Sequence, residues 1–175
     1  MADRNNGALQ AAIKALEHAV LPALDPADPL AGEQLRLVIG YLRLLRDRLA
    51  QIDDRARFEL QHYRSLASAL RDEARSEGGE VAARFETALA LAVRAGRPAE
   101  QREATAALAA AVSGLVRCAA TAVPERRRRI EHTVASQSRR WVDAQRAWFA
   151  PLGFELRPDQ LPALAQALAP AELQA

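Results

Sequence analysis

One apolar seam that repeats every seven residues constrains the fold of this chain more than any other feature of its sequence. Among these positions only Glu59 is charged, a pattern typical of a helix that packs against other helices along its whole length. It predicts one very long second helix over about residues 30–76, with a kink near Asp53 as the alternative. The seam positions are Leu35, Val38, Leu42, Leu45, Leu49, Ile52, Ala56, Glu59, Tyr63, Leu66 and Leu70.

The apolar face of this predicted helix is wider in its first half than in its second. A second apolar row, formed by Leu37, Tyr41 and Leu44, widens the first half. We therefore expect the first half to be buried among several helices. The second half has a narrow stripe and should contact fewer neighbours, which leaves part of it as a candidate interface. The residues of that candidate interface are Glu59, Tyr63, Leu66 and Leu70.

Five shorter segments also show apolar residues at helical spacing. They cover about residues 8–24, 80–95, 98–122, 124–149 and 158–168. No stretch alternates polar and apolar residues for long enough to predict a strand. The predicted fold is an all-α antiparallel helical bundle of about five to six helices, one of them very long. We expect a single domain over residues 1–175, with residues 1–7 and 170–175 frayed.

Charge and cysteine content narrow the class of protein further. The formal net charge is only +2, because 24 basic side chains stand against 22 acidic ones. Cys118 is the single cysteine, so nothing requires an oxidising compartment. The N-terminal residues lack an apolar signal core, and the least polar stretch, residues 104–123, is interrupted by Arg117. We therefore expect a cytoplasmic protein that does not span a membrane.

The three histidines each stand near a glutamate, which raises the hypothesis of a metal site. Glu59 precedes His62 by three residues, as in half of a carboxylate-bridged metal site of a helical bundle. Helical phase opposes the hypothesis, because His18 and His132 lie opposite the apolar stripes of their helices. There is also no second Glu-x-x-His motif. We therefore predict no bound metal.

The carboxylate of Glu59 needs an explanation of its own, because a charge at a seam position is costly unless it is paired or hydrated. Two structural explanations are open. Either the seam opens to solvent at this level, or an arginine from another helix pairs with Glu59. The functional alternative is that Glu59 and His62 form a polar point in an internal pocket.

The fifth predicted helix, residues 124–149, carries the strongest local positive charge, with seven arginines against three acids. This charge could form a solvated face with pairing inside the chain, or bind an acidic protein or phosphorylated ligand, or bind nucleic acid. No helix-turn-helix, zinc or RNA-binding motif supports nucleic acid as the partner. The candidate anion-binding residues are Arg126, Arg128, Arg129, Arg139 and Arg146, with Arg140 nearby.

No catalytic apparatus can be recognised in the sequence. It has no glycine-rich phosphate loop and no nucleophile elbow. Arg117 stands beside Cys118, but a small thiol among alanines is typical of a buried, unreactive cysteine. We therefore predict a non-catalytic protein that needs no cofactor.

The segment from Ala8 to Leu49 contains a helix–proline–helix corner. Its residues are Val20-Leu21-Pro22-Ala23-Leu24, Asp25-Pro26, Gln34-Leu35-Arg36-Leu37-Val38 and Tyr41-Leu42. In these residues the segment resembles a group of small helical bacterial proteins that are often encoded near acyl-CoA dehydrogenases and small-molecule phosphotransferases. That group has no assigned activity, so the resemblance implies no functional residues. It implies an accessory role in small-molecule or acyl metabolism.

Three functional hypotheses follow from the sequence. The first is helix-mediated association through the seam of the second helix, with a second copy in a homo-oligomer or with a partner enzyme. The second is a pocket between helices that binds a small acyl or phosphorylated ligand and has arginine at its mouth. The third is weak nucleic-acid binding by the arginine stripe of the fifth predicted helix.

Overall fold

The computed structural model describes residues 2–170, and every regular element in that range is helical, which confirms the all-α fold class. No helix within this range is both long and apolar enough to cross a membrane. Short π- or 3-10-helical turns extend or separate several of the α-helices. The α-helices are α1 (Ala2–Ala15), α2 (Pro29–Arg48), α3 (Ile52–Glu77), α4 (Gly79–Arg94), α5 (Pro98–Ala119), α6 (Pro124–Phe149) and α7 (Leu164–Leu168).

The very long second helix is present as a helical run of 49 residues that comprises α2, one turn of 3-10 helix at Leu49–Gln51, and α3. The irregular turn ends at Gln51, two residues before Asp53, near which the sequence offers a kink as the alternative. Asp53 and Asp54 fall in the first turn of α3, where negative charge interacts favourably with the helix dipole.

Two segment boundaries differ from those that the sequence predicts. Helix α1 begins at Ala2, so the described residues 2–7 are helical rather than frayed, and residues 171–175 lie outside the described residues. The predicted helix over residues 158–168 is a 3-10 turn at Pro158–Gln160 followed by α7. It is interrupted because Pro162 lacks an amide hydrogen and disfavours the helical conformation of the residue before it.

Polar side chains define where two of the helices begin. Asp28 is the N-cap of α2, and its Oδ1 accepts a hydrogen bond from the backbone N–H of Ala31 at 3.0 Å. At the start of α5, Glu100 accepts hydrogen bonds from the backbone N–H groups of Arg97 and Gly96. These bonds and the Arg97 guanidinium hold the pKa of the Glu100 carboxyl at about 2.

The junction between α3 and α4 consists of two glycines with positive φ, 75° at Gly78 and 51° at Gly79. L-residues with a side chain rarely adopt these values, so glycine allows the chain to leave one helix and enter the next without a longer loop. A Cβ atom at either position would meet no other atom within 4 Å. Glycine is therefore required at this junction by the backbone conformation and not by crowding from neighbouring atoms.

Residue contacts divide the chain into two compact units, whereas the sequence led us to expect one domain. The larger unit comprises Asp53–Gln145 and the chain from Pro162 onward. Its core is one cluster that combines large apolar side chains with alanines from α3, α4 and α5 and includes Ile130 from α6. The largest side chains of the cluster with almost no exposure are Leu70, Phe85, Leu108, Leu115 and Ile130.

The smaller unit comprises the chain up to Ile52 together with Arg146–Leu161. Helices α1 and α2 pack against each other in this unit, where Ile13, Ile39 and Leu44 are buried. The guanidinium of Arg48 donates hydrogen bonds to the backbone carbonyls of Ala147 and Trp148, at 3.2 and 3.3 Å. This pair of bonds ties the end of α2 to the last turn of α6.

Burial along the long helical run is the reverse of what the width of the apolar face predicts, and that expectation is wrong. In the second half, Leu66 and Leu70 are 2% and 0% exposed and belong to the core cluster. In the first half, Leu37 and Tyr41 are 40% and 49% exposed. A wide apolar face shows only that a helix has apolar surface, whereas the number of helices packed around it decides how much of that surface is buried.

We expect Leu70→Ala to destabilise the larger unit by about 2–5 kcal/mol, because it removes a fully buried side chain and leaves a cavity. Urea unfolding followed by circular dichroism measures the change. The matched control is Val93→Ala on α4, where the side chain is 75% exposed and the effect should stay within about 0.5 kcal/mol. Equal effects of the two substitutions would contradict the assignment of Leu70 to the core.

Candidate functional site

The seam carboxylate Glu59 belongs to a small polar network between α3 and α6. The Nε of Arg55 donates to Glu59 Oε1 at 2.8 Å, and Nη2 of Arg55 donates to Gln145 Oε1 at the same distance. The side-chain amide of Gln145 donates in turn to Glu59 Oε1 at 3.2 Å. Glu59 is therefore paired with an arginine of its own helix, one turn earlier, and not with an arginine from another helix.

His62 lies one turn after Glu59 and faces α6. Its ring stacks on Trp141 with 6.0 Å between the centroids and makes an edge contact with Tyr63 at 5.0 Å. Burial lowers the pKa of His62 below its usual 6.5, and the positive charge of Arg140 lowers it further, while Glu59 opposes the shift. A neutral imidazole at pH 7 is the result, which suits a packed aromatic contact.

His62 also lines a cavity of about 160 Å³ between α3 and α6, together with Phe58 and Arg140. Glu59 is not among the lining residues. Glu59 and His62 therefore do not share one polar pocket site. Glu59 is held in the network with Arg55 and Gln145, and of the two residues His62 lines the cavity.

The arginines at the start of α6 are engaged in ion pairs with the end of α3. Arg126 Nε donates to Glu73 Oε2 at 3.2 Å, and Arg126 also pairs with Glu77. Arg129 Nε donates to the other oxygen of Glu73 at 2.7 Å. The hydrogen bond from Arg129, followed by that from Arg126, lowers the pKa of the Glu73 carboxyl below its ordinary value of 4.5. Four charged groups therefore attach α6 to α3.

The remaining arginines of α6 differ in their surroundings. Arg127 pairs with Glu131 one turn later, and Arg146 pairs with Glu155 at 2.8 Å. Arg128 and Arg139 have no ion-pair or hydrogen-bond partner within residues 2–170. Of the alternatives that the sequence leaves open for this helix, pairing within the chain describes Arg126, Arg129 and Arg146.

Arg139 instead lines a second, larger cavity of about 400 Å³, which we call the α6–α7 cavity. One wall is a face of α6, and the other is formed by the segment that leads into and includes α7. Arg140, which the sequence left outside the candidate set, lies beside Arg139 in this wall. The lining residues are Ser136, Arg139, Arg140, Asp143, Pro162, Gln166 and Ala167.

The candidate interface at the second half of the seam is contradicted by the structure. Leu66 and Leu70 are buried in the core of their own chain, Tyr63 packs against that core, and Glu59 is held in its network. An interface through Leu66 and Leu70 would require the core of the larger unit to open. Five of the exposed large apolar side chains lie on α2, in a row that we call the α2 stripe: Leu30, Leu37, Val38, Tyr41 and Leu45.

The metal hypothesis finds no geometric support in the part of the chain that the structure describes. No group of three or more His, Cys, Asp or Glu side chains in residues 2–170 is placed to hold a metal ion. His18 and His132 are exposed, as their helical phase predicts. Cys118 is partly buried.

Comparison of the chain with models of known protein families, with curated proteins and with solved structures gives no match. The functional argument therefore depends on the two surfaces that the structure itself defines, the α2 stripe and the α6–α7 cavity.

We expect Glu73→Gln to lower the free energy of unfolding by about 1 kcal/mol at pH 7, because it removes the carboxylate that both Arg126 and Arg129 contact. The pKa of Glu73 is lower in the folded state than its unfolded value of about 4.5. Its contribution is therefore complete above that pH and is lost as the pH falls through the folded-state pKa.

Urea unfolding at pH 7 and at successively lower pH tests this dependence. The control is Glu103→Gln on α5, which changes an exposed acid without an ion pair in the described structure. A Glu73→Gln effect that stays the same from pH 7 to below the folded-state pKa would contradict the ion-pair assignment.

Proposed function

We propose that this protein acts through helix-mediated self-association rather than catalysis, and that the α2 stripe is the surface that pairs with a second copy of the chain. The observation that carries this proposal is a row of five large apolar side chains along one helix, each of which is between 40% and 63% exposed. Single exposed apolar residues are common, but a contiguous row of them marks an interaction surface.

The five side chains of the α2 stripe lie on one side of α2. At about 100° per residue their directions fall within an arc of roughly 100°, whereas Ile39, which is buried, points to the opposite side. The row extends from Leu30 to Leu45, a length of about 22 Å at 1.5 Å per residue. Such a face matches the knobs-into-holes packing of one helix along another.

Charge along α2 and the four residues before it favours a second copy in antiparallel orientation. Residues 25–38 carry three acids and one arginine, a formal charge of −2, with Asp25 and Asp28 in the segment before the helix. Residues 39–48 carry three arginines and one acid, a formal charge of +2, part of which the ion pair of Arg43 with Glu17 balances. Antiparallel pairing places the negative end of each helix beside the positive end of the other and also opposes the two helix dipoles favourably.

The antiparallel arrangement is self-complementary when its two-fold axis passes near Leu37 and Val38. Leu30 of one copy then lies opposite Leu45 of the other and Leu37 lies opposite Val38, while Tyr41 lies opposite Gln34. Such a two-fold interface uses the same patch on both subunits. Two helix faces of this size bury less than the roughly 800 Å² per partner of a standard interface, so we expect a reversible dimer with a concentration-dependent mass.

We expect Leu37→Glu combined with Leu45→Glu to convert the dimer to a monomer, because the variant would bury two carboxylates in an apolar contact. Analytical ultracentrifugation over a range of concentrations measures the dissociation constant, and circular dichroism checks that the fold is retained. The matched control is Val93→Glu combined with Val123→Glu, two exposed apolar positions outside the stripe. A wild-type protein that remains monomeric at the highest concentration would overturn the proposal.

Disulfide trapping tests the orientation in a background of Cys118→Ala. We expect Leu30→Cys mixed with Leu45→Cys to give a cross-linked heterodimer, while neither variant alone cross-links at the same rate. Rapid cross-linking of Leu30→Cys with itself would indicate parallel pairing and contradict the antiparallel arrangement. If the protein is folded and monomeric but binds a separate enzyme through the α2 stripe, then the partner is that enzyme and not a second copy of the chain.

A further inference from the structure

The α6–α7 cavity concentrates polar groups on a single face of α6. Ser136, Arg139, Arg140 and Asp143 are separated by three or four residues, or are adjacent, so their side chains project to the same side of the helix. The facing wall supplies the side-chain amide of Gln166 and the apolar surfaces of Pro162 and Ala167. The cavity therefore has a charged wall and a mainly apolar wall.

Arg140 is held firmly at the charged wall. Its Nη2 donates to the backbone carbonyl of Ala169, and its Cζ lies 5.1 Å from the centre of the Phe58 ring. These contacts fix the plane of the guanidinium. The Arg140 side chain borders both the α6–α7 cavity and the smaller cavity that His62 lines. A guanidinium that is already positioned loses little conformational entropy when a ligand binds.

Two donors at this wall lack acceptors in the described structure. The Nε–H of Arg140 is buried and has no hydrogen-bond partner within residues 2–170. Arg139 is unpaired over the same range, unlike Arg126, Arg129 and Arg146 of the same helix. Buried donors are almost always hydrogen-bonded in folded proteins, so the unsatisfied Nε–H of a side chain that borders two cavities is open to an acceptor that the described residues do not provide.

We infer that the α6–α7 cavity binds the oxyanion group of a small molecule, a phosphate or a carboxylate, with Arg139 and Arg140 donating to its oxygen atoms. Guanidinium groups carry only donors and match the planar arrangement of two oxyanion oxygens. The hydroxyl of Ser136 supplies a neutral hydrogen-bonding group at the same cavity.

The carboxylate of Asp143 narrows the ligand class further. Because Asp143 lines the cavity with the two arginines, the formal charge of the lining is only +1. A ligand with a single oxyanion fits this charge better than a polyanion. A volume of about 400 Å³ lies within the range of small-molecule pockets, roughly 300–1,000 Å³. A nucleic acid would need a continuous row of free arginines, which the ion pairs of α6 remove.

The test is an NMR titration of the arginine Nε–H signals with inorganic phosphate, and separately with acetate, at constant ionic strength. We expect the signals of Arg139 and Arg140 to shift and saturate with at least one of the two probes. A stronger response to phosphate would identify a phosphorylated ligand, and a stronger response to acetate a carboxylated one. The Arg128 signal serves as an internal reference for nonspecific charge effects, because Arg128 is an exposed arginine of α6 that does not line the cavity.

Three variants distinguish a specific anion-binding site from a general attraction of anions to positive charge. We expect Arg139→Gln to weaken binding about tenfold or more, the effect of losing a charge-assisted hydrogen bond. Arg140→Lys keeps the positive charge but removes Nε–H and should also weaken binding. Arg128→Gln should leave it unchanged. Equal losses in Arg128→Gln and Arg139→Gln, or no saturation with either probe, would overturn the inference, and both results are independent of whether the α2 stripe forms a dimer.

Discussion

The larger unit depends on the fit between large apolar side chains and alanine-rich helix faces. The buried positions of α4 and α5 include Ala88, Ala92, Ala104 and Ala111, and small side chains let neighbouring helices approach closely. Leu70 and Phe85 occupy the space that the alanines leave. The positions of His62 and Arg140 depend on this arrangement, because they lie on α3 and α6, whose other faces pack in the same cluster.

Arginine has several distinct roles in this chain, and its abundance alone does not reveal them. Arg126 crosses from α6 to two glutamates of α3, whereas Arg55 completes a polar network at the seam and Arg48 caps carbonyls at the end of α6. In each case the long side chain reaches a group on another element or one turn away. Arg139 and Arg128 differ from these residues, and only Arg139 borders a cavity.

The sequence predicts the existence of the helices well, because the seven-residue seam and the prolines between segments are local signals. It does not predict which part of the seam is covered, since Leu45 and Leu66 are both seam positions and yet are 50% and 2% exposed. The Glu59 network could not be anticipated either, because Gln145 lies 86 residues away in the chain. The α6–α7 cavity escapes sequence analysis for the same reason, although the close spacing of Ser136, Arg139, Arg140 and Asp143 was a signal that could have singled out this face.

The two glycines between α3 and α4 adopt backbone angles that L-amino acids disfavour because of their chirality. Both have positive φ, and nothing lies within 4 Å of where a Cβ would stand. The junction therefore disfavours L-amino acids by their chirality and not by crowding. D-amino acids favour positive φ, so a D-alanine at Gly78 would suit this angle and would restrict the unfolded chain as well. The turn from α3 to α4 thus uses backbone angles of the opposite hand to those of the right-handed helices on either side.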